Sequence, residues 1–145
     1  MAMRVTEEYL RKKRDRQKFM CRYNTVMCFS AGPPMLLLPG LTKKVLKWPY
    51  DDPVMTGIYG SIVTSVGVLS AASLLDESKL DRITPVFLTQ ILYKSLACGM
   101  IAVHRRRERS SSWGLSFLFW FFALYIVLLA WAIPWKELVG NAGAG

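Results

Sequence analysis

The sequence predicts an all-α integral membrane protein: four transmembrane helices behind a basic N-terminal arm. Three observations lead there. The chain is 52% hydrophobic, its apolar residues come in blocks of near-spanning length, and its charge lies almost wholly between those blocks. A hydrocarbon core about 30 Å thick takes about 20 helical residues to cross. The runs 23–42, 53–75, 84–103 and 113–133 reach that length, and none alternates at the period of a strand. The expected organisation is an arm over residues 1–22, a helical membrane domain over 23–135 and a flexible tail over 136–145.

The arm opens polar. Thr6 reads as an N-cap, Glu7 and Glu8 fill a first helical turn, and Glu7–Arg11 and Glu8–Lys12 stand at i, i+4, which predicts a short solvated helix. Arg11, Lys12, Lys13, Arg14, Arg16, Lys18 and Arg22 follow. The net charge of +9 concentrates here and at Arg105, Arg106 and Arg107. Anionic phospholipids are therefore the expected partners of Arg11, Lys12, Lys13, Arg14, Arg16, Arg105, Arg106 and Arg107, at about 1 kcal/mol for each cation near such a surface. The arm looks like the start of a cleaved presequence, but its three acidic residues and the lack of an evident small-residue cleavage site argue against one. No finger, RNP or helix-turn-helix pattern accompanies the charge, so nucleic acid is not an expected partner.

The first span, 23–42, is free of charge but holds Asn24, Gly32, Pro33, Pro34 and Pro39, which predicts either a proline-kinked crossing or a re-entrant turn covered by protein. Leu41 to Trp48 interleaves lysines with apolar residues as an interfacial helix would, with Trp48 and Tyr50 at headgroup level. Asp52 and Pro53 open the second span. Gly57, Ser61 and Ser65 form one small-residue stripe on it; Gly60, Thr64, Gly67 and Ala71 form an adjoining one. Such stripes let helix backbones approach, so this span is expected to be the most enclosed, its hydroxyls lining a permeation groove being the sharper alternative. The short connection Asp76 to Arg82 makes a hairpin with the third span, whose Ser95 and Gly99 could receive the second span's stripe.

Thr84 and Pro85 mark the start of the third span, and Lys94 falls near its middle. A lysine at that depth costs about 3 kcal/mol on insertion scales, and its side chain cannot easily reach either interface. No Asp or Glu lies inside any apolar run. The expected partner is consequently an acid on another subunit, with a lipid phosphate, a bound anion or a wet cavity as alternatives. Ser112 caps the fourth span, which Pro134 ends. Trp113, Trp131 and Trp135 give it aromatic belts, and aromatic residues occur on all its sides.

Catalytic patterns are missing: no paired histidines, no GxSxG and no repeated aspartates occur. The single histidine, His104, cannot provide bis-histidine haem ligation, and Cys21, Cys28 and Cys98 have no metal-ligand spacing. Neither cofactor nor metal is expected, and the chain does not read as an enzyme. The expected function is that of an accessory structural subunit, in contact with other membrane subunits, of a respiratory-type complex in the mitochondrial inner membrane. A small homo-oligomeric transporter or channel is the alternative, against which stands the lack of an intramembrane carboxylate for proton coupling. Four crossings put the arm and the basic third loop on opposite sides; a re-entrant first segment would put them together, as the positive-inside rule prefers. The length of the first run favours four.

Overall fold

A computed structural model describes residues 2–46, 53–108 and 112–142. Those residues are all-helical: α1 (Ala2–Leu37), α2 (Pro39–Leu46), α3 (Pro53–Leu75), a 3-10 turn (Glu77–Arg82), α4 (Thr84–Glu108), α5 (Trp113–Ala132) and α6 (Trp135–Ala142). Three helices, α3, α4 and α5, are long and apolar enough to cross a membrane, and there are four spans if the bent pair α1–α2 counts as one.

The arm is not a separate short helix. It is the first half of α1, which runs unbroken for 36 residues, about 54 Å at 1.5 Å per residue. Thr6 therefore lies inside a helix instead of capping one. The physical reason is the stripe Gln17, Cys21, Asn24 and Cys28, spaced three and four apart and buried throughout, so the packed face of the span continues down into the arm. No Gly or Pro interrupts that stretch. Helix α1 also passes through Pro33 and Pro34; it stops at Leu37, and the chain turns by 118° into α2. The Pro34 carbonyl accepts from Leu38 N at 2.8 Å, and the Leu38 carbonyl accepts from both Leu41 N and Thr42 N at 3.1 Å, which closes the turn.

Helices pair in two layers, α1 along α3 and α4 along α5, with α5 also touching α1. Gly60 and Gly67 on α3 meet α1 at Met35 and Cys28, and Gly32 on α1 meets the backbone of Thr64. The stripe holding Gly60, Thr64 and Gly67 is thus the one in the seam. The stripe Gly57, Ser61 and Ser65 turns away: both serines are exposed and, among the described residues, nothing lies within 4 Å of a Cβ placed at Gly57. Ser95 and Gly99 are exposed on α4 and receive no stripe, because α3 and α4, although consecutive, pack on different partners. Tyr59 and Tyr93, with ring centroids 6.2 Å apart, bridge the two helices instead.

One end of the bundle gathers the arm, the 3-10 turn and α6. Met20, Cys21, Leu80, Ile83, Phe87, Leu129 and Ile133 form an apolar cluster there. Around it Lys13 pairs with Asp81 at 3.0 Å and Glu137 at 2.8 Å, and Lys18 pairs with Glu77 at 2.6 Å. Residues 136–142, expected as part of a loose tail, are helical and tied to the arm through Glu137. The basic run Arg105–Arg107 ends α4 at the opposite end from this cluster. Trp48, Tyr50 and Asp52 lie outside the described residues.

Helix limits follow local chemistry. The Ser112 side chain accepts from Leu115 N, and α5 ends one residue before the expected limit, with Ile133 N donating to Leu129 O just ahead of Pro134. Asp76 caps the 3-10 turn by accepting from Ser78 N. Helix α4 begins at Thr84 itself and continues through the basic run to Glu108.

Candidate functional site

Lys94 points into the bundle, only 4% exposed. Its ammonium donates to Tyr93 Oη at 2.6 Å and to Gln90 Oε1 at 3.2 Å. It also lies 4.3 Å from the ring centroids of both Tyr93 and Tyr125, with Phe122 at 5.8 Å. A desolvated cation over an aromatic face gains about 2 kcal/mol, so two such rings are of the same size as the ~3 kcal/mol cost of placing lysine at this depth. Within the chain, then, Lys94 has hydrogen-bond acceptors and ring faces as partners. The ring faces leave its charge unneutralised: among the described residues no carboxylate pairs with it.

Tyr125 is itself fixed from behind. Its hydroxyl donates to Asn24 Oδ1 in a short hydrogen bond, and Asn24 Nδ2 donates to Ser70 Oγ at 3.1 Å. A chain of polar contacts thereby runs from α3 through α1 to α5, and on to α4 through the ring above Lys94. Asn24 and Ser70 are fully buried, so each contact lies in a medium where an unpaired polar group is costly.

On the other side of Lys94 opens a cavity of about 330 Å³. Its wall combines small and flexible residues of α1, such as Cys28 and Ala31, with Phe117, Phe121 and Phe122 of α5. Helix α2 covers it through Leu41 and Val45. The polar residues of its wall are Lys94, Tyr59, Tyr93, Tyr125, Ser30 and Thr42; the Tyr59 hydroxyl is buried and has no hydrogen-bond partner among the described residues. The volume lies at the low end of small-molecule sites, about 300 to 1,000 Å³. Among the described residues no three His, Cys, Asp or Glu side chains gather to hold a metal ion.

The expected lipid-facing cations divide. Arg11, Lys12 and Arg14 are exposed on the arm, Lys12 paired with Glu8 at 2.6 Å. Lys13 is not free for headgroups: its side chain is 12% exposed and held between two carboxylates. Burial alone would lower its pKa, but the hydrogen bonds to Glu137 and Asp81 outweigh that and raise it above the ordinary 10.5. Arg16 lies over the Trp131 ring, 5.5 Å from its centroid. At the opposite end Arg106 and Arg107 are exposed and Arg105 is half-buried.

Sequence reasoning found Lys94 and gave a wet cavity as one alternative for it, but did not find Tyr59, Asn24 and Tyr125 as its setting. Asn24 alone carried a signal, as an amide at helical spacing from Cys21 and Cys28 in a charge-free run. No family model matches the chain, and comparison with curated proteins and with solved structures finds no similar one.

Proposed function

We propose that the chain is a non-catalytic accessory subunit of a larger membrane assembly. The observation that carries this reading is the outward stripe on α3. Gly57, Ser61 and Ser65 are small residues on the face opposite the α1 seam, and the two serine hydroxyls bond back to Gly57 O and Ser61 O at 2.9 Å. The stripe is therefore a shallow strip with its polarity already satisfied, the surface on which a transmembrane helix of another subunit packs closely. On the seam side of the same helix, the equivalent pattern at Gly60 and Gly67 does accept a helix, α1.

A respiratory-type complex of the mitochondrial inner membrane is the assembly to test first, since the cations at both ends of the bundle suit a membrane rich in anionic lipid. Mild-detergent extraction followed by mass spectrometry of co-migrating chains tests the reading. Ser61→Leu should detach the chain from its partners while leaving it folded, whereas Ile62→Leu, at the exposed neighbouring position, should not. A chain that migrates alone in both forms refutes it. The alternative, a homo-oligomeric transporter or channel, draws on the cavity between the helix pairs. Substrate-dependent flux into liposomes holding the purified chain would establish it over the accessory reading.

A further inference from the structure

We propose that the cavity beside Lys94 binds a single-chain lipid carboxylate, a free fatty acid, with its head at Lys94 and Tyr59 and its acyl chain along the phenylalanines of α5. This site is independent of any partner subunit.

The head end is set by charge and by donors. An ammonium has three N–H bonds, and Lys94 uses two of them, on Gln90 and Tyr93. The third has no acceptor among the described residues, and no carboxylate among them balances the charge. Tyr59, another residue of the same cavity wall, contributes a second unused donor: its hydroxyl is buried and bonds to none of the described residues. Two donors, one of them cationic, suit a carboxylate with two acceptor oxygens and one negative charge. A neutral carbonyl, whose oxygen can also accept from both donors, would leave the ammonium unneutralised.

The body of the ligand is set by the wall and by size. Apart from Lys94, three tyrosines, Ser30, Thr42 and Cys28, the lining is aliphatic, methionine or phenylalanine, which favours a hydrocarbon chain. A volume of about 330 Å³ suits one acyl chain better than a diacyl phospholipid with its headgroup. Entry is from the side. Lys94 is 4% exposed, whereas Leu41, Val45 and Phe117 on the same cavity are 52%, 54% and 52% exposed, so the mouth lies between α2 and the start of α5. That surface lies between the amphipathic α2 and the apolar α5, where a membrane-dissolved fatty acid is available.

The test uses the full chain in nanodiscs of zwitterionic lipid, with laurate as the probe and its methyl ester, lauryl alcohol and a single-chain lysophosphatidate as comparisons. Binding is followed by displacement of a fluorescent fatty acid and by the shift in melting temperature. Laurate should displace the probe and raise the melting temperature, with the methyl ester and alcohol about 10- to 100-fold weaker, the factor that a lost hydrogen bond to a charged group gives. Tyr59→Phe, which keeps the ring, should weaken laurate several-fold, and more than it weakens the ester. Lys94→Met should reduce laurate to the level of the ester. If Lys94→Met fails to fold, the acid-to-ester ratio in the unmodified chain and the Tyr59→Phe variant decide the matter. Equal affinity for acid and ester, or an unchanged laurate affinity in Tyr59→Phe, would overturn the proposal. Tighter binding of lysophosphatidate than of laurate would overturn it in favour of a phosphate head.

Discussion

Replacing Gly32 by alanine tests whether the α1–α3 seam depends on close backbone approach. A Cβ at position 32 would lie 2.9 Å from Thr64 N and 3.1 Å from Thr64 Cα, both backbone atoms that no side-chain rotation can move aside. Carbon atoms rest at about 3.5 to 4.0 Å, so the helices must part by roughly half to one ångström, a gap that forfeits a quarter to a half of each dispersion contact along the seam. In a membrane, where lipid competes equally for apolar surface, dispersion is the larger part of what holds such a seam. Overpacking of this kind costs about 1 to 3 kcal/mol, more than the gain of at most about 1 kcal/mol from replacing glycine by alanine in a helix. Gly57 and Gly99 supply the internal control, since a Cβ at either meets nothing within 4 Å among the described residues. Gly57→Ala and Gly99→Ala should therefore melt at or slightly above the unmodified chain, and Gly32→Ala several degrees below it. The assay is thermal unfolding in mild detergent read with a thiol-reactive dye, for Cys21 and Cys28 are buried in α1 and become reactive only as it separates. If Gly32→Ala melts together with Gly99→Ala, the seam does not rest on close approach and the reasoning is refuted.

Two further predictions concern the polar contacts. Asn24→Leu removes the acceptor of Tyr125 and the donor to Ser70 at once, so it should cost about 1 to 3 kcal/mol, and the double variant with Tyr125→Phe should cost less than the sum, as measured in a double-mutant cycle of melting temperatures. The arm's docking should hold across neutral pH and fail at both extremes. Glu77 has its pKa lowered from 4.5, first by its hydrogen bond from Lys18, so its contribution is present above that ordinary value and is lost as pH falls through the lowered one. Lys13, raised above 10.5, contributes fully below that value and is lost as pH rises through the raised one. Spin labels at Arg11 and Lys136 should keep one distance from roughly pH 5 to 10 and broaden outside it; a distance unchanged in acid would show that the apolar cluster alone holds the arm.

The membrane helices were legible where punctuation coincides with hydropathy. Pro53, Pro85, Ser112 and Pro134 mark helix limits that the structure reproduces to within a residue or two. The junction between arm and first span was misleading for the opposite reason: the change from charged to apolar residues after Arg22 is a change of solvent, not of backbone, and nothing there breaks a helix. Which of two small-residue stripes on α3 would be covered depends on its partner, and the partner's own signal, Cys28 and Gly32 four apart beneath a pair of prolines, was hidden by residues that suggested a break. For Lys94 the sequence showed the cost and concealed the remedy, since Tyr125 lies 31 positions away and only tertiary packing brings its ring over the ammonium.

The cavity follows from the same mismatch between helix pairs. Helix α1 meets α3 through Gly32, Gly60 and Gly67, so their axes lie close, while α5 presents Phe117, Phe121 and Phe122 toward the space beside Lys94. The glycine-joined α1–α3 pair on one side and the rings that α5 projects on the other leave a gap along part of their length. They meet at the end where Met20, Phe87 and Leu129 fill the gap, and they stand apart where Cys28 and Ala31 face the rings. Lys94 sits at the boundary between these regions, its stem among packed rings and its charge turned toward the space they leave. A larger residue at Ala31 would fill that space from the α1 side without touching the polar contacts behind Tyr125, and should abolish laurate binding while raising or preserving the melting temperature of the free chain. Loss of binding together with a lower melting temperature would mean that the walls are already in contact there, contrary to a gap left by unequal helix spacing.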